Sequence, residues 1–248
     1  MGVLDERALR LGTDRVYEDD VFITSYLKSG NTWMRFLVTN MRYPAKKITF
    51  RNIEDYCPQL GPNEMDEYER PRFIKSHLPA FESFPRSIYV IRDGRDVAIS
   101  FYHYSLEREW FDGDFSEFLR SDWPFSKYFG AWHEHVSRAL DFHDDHPERM
   151  LVVRYEDMLD TPEVQAERLR SFCGFDIDRD TVKEAVRRSE FSELKKMENK
   201  HGSEVKGKDM TFFRKGESRQ WKEAFSDADL AYFLDQAAPA LKRAGYDV

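Results

Sequence analysis

The chain has 248 residues, enough for one α/β domain with a sizeable core, and carries a net charge of −8. That charge argues against a general nucleic-acid or membrane-surface binder, because both need basic surfaces, while leaving room for a local basic pocket. The two cysteines, Cys57 and Cys173, make no disulfide framework and fit a reducing compartment.

Met1 to Arg10 mixes apolar and charged residues without an apolar signal core, and no run is long or apolar enough to span a membrane. A soluble, cytoplasmic protein with no integral membrane association is expected. Val21 to Tyr26 is β-branched and aromatic, as a buried strand should be. Lys28-Ser29-Gly30-Asn31-Thr32 is a small polar turn, and from Trp33 apolar residues recur at helical spacing through Phe36, Leu37 and Met41. A glycine turn that opens a helix after a strand presents amides without intrahelical acceptors and the positive end of the helix dipole. Taken alone, the stretch reads either as a phosphate-type site or as an ordinary βα turn with a surface lysine. It is not the nucleotide motif GxxxxGK[ST], because Lys28 precedes the only glycine and reaches an anion from the strand side.

Residues 43–72 are loop-rich, with Pro44, Pro58, Pro62 and Pro71, and read as a cover over the open end of a sheet or as a plain surface excursion. Phe73 to Ser76 reads as a short strand with His77 at its C-terminal end, where ligands bind in open α/β sheets. Ser87 to Ile91 is a buried strand that runs into Arg92-Asp93-Gly94-Arg95-Asp96 and a helix from Val97 to about Tyr104. Arg92 at the strand end and Ser100 two turns into the helix suit a second phosphate. Helices are expected over Phe115 to Arg120 and Trp123 to His143, and a strand over Leu151 to Tyr155. Thr161 and Pro162 read as the cap and first residue of a helix, and Asp180 to Arg188 as another. Glu198 to Asp209 holds two glycines and no periodicity, and reads as a mobile loop. It delivers Arg214-Lys215-Gly216, a basic cluster in an acidic chain. Asp227 to Arg243 closes the chain as an amphipathic helix.

No metal site is expected. His133 and His135 are two apart on a helix and face different ways, and His143 and His146 sit at a helix end, where a cationic ring suits the dipole. Trp110, Phe111, Phe129 and Trp132 read as core by default, with an acceptor pocket as the other reading.

Three separated segments therefore offer anion-binding groups, which suggests a ligand with two well-separated anionic ends. Here the chain resembles the cytosolic sulfotransferase family. Lys28-Ser29-Gly30-Asn31-Thr32-Trp33 is similar to its YPKSGTTW loop, Lys75-Ser76-His77-Leu78-Pro79 to its KTHLP segment, and Arg92 to Ser100 to its 3′-phosphate motif. Tyr155-Glu156-Asp157-Met158 resembles the YEDM segment, and Arg214-Lys215-Gly216 with Trp221-Lys222 the RKGxxGDWK signature. The resemblance implies one α/β domain over residues 1–248, with a central parallel sheet flanked by helices on both faces in the P-loop-NTPase-like sulfotransferase fold. It implies transfer of a sulfuryl group from 3′-phosphoadenosine 5′-phosphosulfate (PAPS) to a small-molecule hydroxyl or amine, with no metal and no nucleic-acid partner. In that scheme Ser29, Gly30, Asn31 and Thr32 hold the 5′-phosphosulfate and Lys28 the leaving oxygen. Arg92, Ser100, Arg214, Lys215 and Gly216 hold the 3′-phosphate. Trp33 and Phe191 flank the adenine, and Tyr155 and Ser189 bond its edge. His77 is the general base, with Lys75 beside it.

The chain departs from the family pattern at Leu27, where the loop has proline, at Asn31 and Ser76, where it has threonine, and at Arg219-Gln220, where it has Gly-Asp. The family's dimer segment survives only as Lys222 and Phe225, so the oligomeric state is not implied. The alternatives are a P-loop-like small-molecule kinase and a catalytically silent nucleotide-binding protein. The first lacks Lys-Ser/Thr after a second glycine, and the presence of both Lys28 and His77 counts against the second.

Overall fold

The structure, a computed structural model, describes residues 16–61, 65, 67–202 and 216–248. Strands β1 (Val21–Ser25), β2 (Phe73–Ser76), β3 (Arg86–Ile91) and β4 (Met150–Arg154) form one parallel sheet in the order β2-β1-β3-β4. The helices, in chain order, are α1 (Asn31–Arg42), α2 (Gly94–Glu107), α3 (Phe115–Arg120), α4 (Ser126–Phe129) and α5 (Trp132–Asp145). They continue as α6 (Tyr155–Asp160), α7 (Pro162–Cys173), α8 (Arg179–Arg188), α9 (Phe191–His201), α10 (Trp221–Ala224) and α11 (Asp227–Arg243).

Strand side chains alternate between faces, and here both faces are buried. Phe22, Ile74, Tyr89 and Ile91 enter one core, with Val97 of α2, Val136 and Ala139 of α5, and Leu241 of α11. Val21, Ile23, Phe73, Ile88 and Val90 enter the other, with Met34 and Leu37 of α1, Leu169 of α7 and Val182 of α8. Each fully buried side chain of this size contributes about 1.5–3 kcal/mol, so the two cores fix the sheet firmly in both directions. At the strands' N-terminal end a buried ion pair clamps β1 to β2. Arg72 donates from Nε to Asp20 Oδ1 at 2.8 Å and from a terminal nitrogen to Oδ2 at 2.5 Å, while the Val21 amide donates to the Arg72 carbonyl at 2.9 Å.

Several boundaries differ from the sequence reading. The expected helix over Trp123 to His143 is two helices, α4 and α5, broken at Gly130 with φ of 74° and ψ of −172°. Tyr155 starts α6 instead of ending a strand. Thr161 precedes Pro162 as expected but does not cap. Its hydroxyl donates back to the Asp157 carbonyl at 3.0 Å. The expected loop from Glu198 begins as helix, because α9 runs to His201 on apolar spacing at Phe191, Leu194 and Met197. The remainder of that loop, with Arg214 and Lys215, lies outside the described residues. Among the described residues, no helix is long and apolar enough to cross a membrane.

Candidate active site

Among the described residues, Lys28 to Thr32, His77 and Arg92 lie together at the C-terminal edge of the sheet, just beyond β1, β2 and β3. β1 ends at Ser25, and the chain turns through Lys28 at φ 65° and Gly30 at φ 100° before entering α1. The left-handed conformation at Gly30 is one that side-chain-bearing residues adopt only with strain. A Cβ there would also fall 2.7 Å from the Tyr155 ring. No side chain caps α1, so its N-terminal amides remain the cradle that a strand-turn-helix unit offers to an anion. Ser29 is buried, and its Oγ has no hydrogen-bond partner.

Asn31 departs from expectation. Its Nδ2 lies 3.1 Å from the Ile23 carbonyl, 3.3 Å from Ser25 Oγ and 3.1 Å from the Ser76 carbonyl. The side-chain amide ties β1 to the end of β2. Thr32 is buried beside it.

Arg92, at the end of β3, crosses to this turn. It donates to the Lys28 carbonyl at 3.2 Å and to the Glu217 carbonyl at 3.0 Å, and its guanidinium lies 4.4 Å from the centre of the Tyr155 ring. Its Nε is buried without a hydrogen-bond partner. Ser100 lies half-buried on α2, two turns beyond. Gly216 joins the same region at φ 69°, so close that a Cβ would fall 2.5 Å from the Phe191 ring. The segment after it is anchored by Asp96, whose carboxylate accepts from the Arg219 amide at 2.6 Å and the Trp221 amide at 3.1 Å. Burial, more than any neighbouring charge, raises the Asp96 carboxyl above its usual range.

Lys28 is partly exposed, with its Nζ 4.0 Å from the centre of the Tyr104 ring. Desolvation, and then the positive charge of Arg92, lower its ammonium to about 7, with a smaller push from Lys75 and an opposing pull from Glu107 and Glu198. Lys75, buried on β2, belongs to the same cationic cluster. His77 follows β2, and its Nδ1 lies 2.9 Å from the Ser25 carbonyl. A carbonyl only accepts, so Nδ1 carries the hydrogen and the basic lone pair is on Nε2.

A cavity of about 250 Å³ lies beside the turn, lined by Trp33, Leu37, Met158, Val186, Ser189 and Phe191. Three of the four residues assigned to the adenine through the resemblance, Trp33, Ser189 and Phe191, thus share one apolar slot. Tyr155 does not line it. Its ring packs edge-on to Trp33 at 5.4 Å and under Arg92 and Gly30. Ser189 Oγ accepts from Asn40 Nδ2 at 3.0 Å.

An arc of rings joins Lys28 to His77. Tyr104 contacts Trp110 at 5.5 Å, Trp110 contacts Phe125 at 5.1 Å, Phe125 contacts Phe129 at 6.3 Å, and Phe129 contacts His77 at 6.2 Å. Trp110 and Phe125 are 42% and 41% exposed, so core is the wrong reading for Trp110, whereas Trp132 is core at 3%. Phe125 adopts φ 68°, a strained conformation for an aromatic residue. Sequence reasoning missed Tyr104 and Asp96. Tyr104 lies four residues beyond Ser100 on one helix face, a spacing that could have found it. Asp96 bonds across more than a hundred residues, and nothing local marks it.

Residues 18–245 match the family model described as a sulfotransferase domain. Sulfotransferase 1A1 of Mus musculus is 30% identical over 244 residues, covering 88% of this chain and 82% of that protein. Sulfotransferase 1A1 of Bos taurus is 28% identical, covering 92% and 85%. Among solved structures, mouse sulfotransferase SULT7A1 complexed with PAP superposes with a TM-score of 0.74 at 22% identity, over 96% of this chain and 88% of that one. Retinol dehydratase in complex with androsterone and inactive cofactor PAP superposes with a TM-score of 0.75 at 19% identity, over 98% and 87%.

Proposed function

The chain belongs to the sulfotransferase domain family, and we propose that its sheet edge binds PAPS and passes the sulfuryl group to a hydroxyl on a small aromatic or otherwise planar acceptor in the cytoplasm. The observation that carries this reading is Arg92. One guanidinium bonds both the Lys28 turn and the Glu217 carbonyl, which draws two anion-binding segments to within one ligand's reach of each other.

PAPS supplies an activated sulfuryl group whose bond to the phosphate breaks as a bond to the acceptor oxygen forms. The amides that open α1, with Lys28, bind the phosphosulfate end. Arg92 and Ser100 take the 3′-phosphate, completed by Gly216 and by Arg214 and Lys215. Trp33 and Phe191 wall the adenine slot, where the Ser189 hydroxyl, accepting from Asn40, can still donate its own hydrogen to a ring nitrogen. Tyr155 supports Arg92 and the turn from beneath. Charge builds on the leaving phosphate only as its bond breaks, so Lys28 stabilises the transition state more than the ground state. His77 Nε2 takes the acceptor's proton, and Lys75 adds positive charge beside the transferring group. The ring arc from Tyr104 to Phe129 forms the acceptor wall.

Thermal unfolding with adenosine 3′,5′-bisphosphate, AMP and Mg-ATP tests the donor site, and labelled sulfate from PAPS offered to a panel of phenols and alcohols tests transfer. The bisphosphate is expected to raise the melting temperature, with little effect from AMP. Stabilisation by Mg-ATP but not by the bisphosphate would favour a kinase instead.

A further inference from the structure

His135 lies on α5, 1% exposed, in contact with the loop that carries His77. Its Nε2 is 3.1 Å from the His77 carbonyl oxygen and its Nδ1 is 2.9 Å from the Tyr89 hydroxyl. The carbonyl only accepts, so Nε2–H donates. In a neutral ring Nδ1 is then an acceptor, and the Tyr89 hydroxyl donates to it. Both nitrogens have complementary partners, and only one tautomer satisfies both.

We propose that His135, oriented by Tyr89, is a positioning residue for sulfuryl transfer: it grips the main-chain carbonyl of His77 and so sets where the His77 ring meets the acceptor.

The surroundings suit that task. Tyr89 is wholly buried on β3, between β1 and β4, and anchors the chain of bonds in the interior of the sheet. The His135 ring stacks on the Tyr89 ring at 5.7 Å and meets Tyr26 and Phe81 edge-on at 5.5 and 5.6 Å, so it has no room to rotate. Burial lowers the His135 imidazole to about 4, against the opposing pull of the His77 carbonyl and with help from Arg138. Neutrality keeps Nδ1 an acceptor. Tyr89 is raised well above the usual phenol range by burial and stays a donor. His77 lies just beyond the end of β2. Ser25 fixes its ring and His135 fixes its backbone, from two different elements.

This inference rests on His77 being the base, and the test separates the two. Transfer of labelled sulfate from PAPS to 2-naphthol is measured for wild type, His77→Ala, His135→Phe, His135→Gln and the double variant His77→Ala/His135→Phe, with PAP affinity by calorimetry. Displacing a reacting group by about 1 Å costs on the order of 10²-fold, so His135→Phe should lower kcat about 10- to 100-fold while the PAP Kd stays within about twofold. His135→Gln keeps an N–H near the Nε2 position and should recover most of that loss. In the His77→Ala background, His135→Phe should cost nothing further. Wild-type kcat in His135→Phe, equal loss in the Gln and Phe variants, or parallel loss of kcat and PAP affinity would overturn the proposal. If His77→Ala keeps full turnover, the base assignment falls and this inference with it. If only His77→Ala is impaired, the positioning role alone falls. Imidazole ¹⁵N spectra of the wild-type protein need no substitution and no acceptor. They should show His135 as a single Nε2–H tautomer, and a ring protonated at Nδ1 would refute the arrangement.

Discussion

Lys28 sits where its own charge is unwelcome until an anion arrives. Desolvation of the ammonium and the nearby Arg92 bring it down to about 7, so near neutral pH an appreciable share of the side chain is uncharged. A bound bisphosphate reverses the balance and favours the ammonium. Linkage then requires that binding take up protons in the window just above 7. Calorimetry with adenosine 3′,5′-bisphosphate at about pH 7.5, in two buffers of different ionisation enthalpy, should show uptake of a fraction of a proton. Lys28→Met should abolish that uptake, and its absence from wild type would contradict the assignment. His77 makes the complementary prediction. General-base catalysis is worth about 10²–10⁴-fold, so His77→Ala should lose that much turnover while binding the bisphosphate as tightly as wild type. Loss of both together would count against the base role.

At the scale of elements, the turn between β1 and α1 carries the strictest requirement. Gly30→Ala places a side chain at φ 100° and a Cβ 2.7 Å from Tyr155. It should destabilise the fold by about 1–3 kcal/mol, measured by urea unfolding, and weaken bisphosphate binding because the α1 amides lose their aim. This unit was legible in the sequence because its signals are local: an apolar run, a glycine, then helical spacing. The β3-to-α2 unit was legible for the same reason. The helix α9 was not, because its three buried-side residues stand among charges and its order comes from packing Leu194, 0% exposed, into the core. The division of α4 from α5 was hidden because apolar spacing runs on through Gly130. The partners of the Asn31 side chain were not legible, because sequence shows a donor but not which acceptor is nearer, and here two strand ends claim the amide. The motifs pointed to the proposed donor-site residues, whereas the proposed acceptor wall and the His135 bonds depend on distant segments meeting and could be read only from coordinates.

Across the whole molecule the two ends of the sheet divide the work. The Asp20–Arg72 pair closes the strands' N-terminal end, and every site group described gathers at the other. Arg72→Met strands a carboxylate in a buried position, and breaking such a pair typically costs about 3–5 kcal/mol. Chemical denaturation should register that loss with bisphosphate affinity unchanged, and adding Asp20→Asn should recover part of it. A fall in affinity matching the fall in stability would mean that the two ends are coupled. The arc from Tyr104 to Phe129 leads to the last consequence. In the proposed site the donor half is assembled from several strand ends and tolerates little revision, but most of the acceptor half comes from the single connection between α2 and α5. Such a protein can change its clientele by redrafting residues 108–131 alone, so close kin that handle quite different alcohols can share one unaltered grip on the donor.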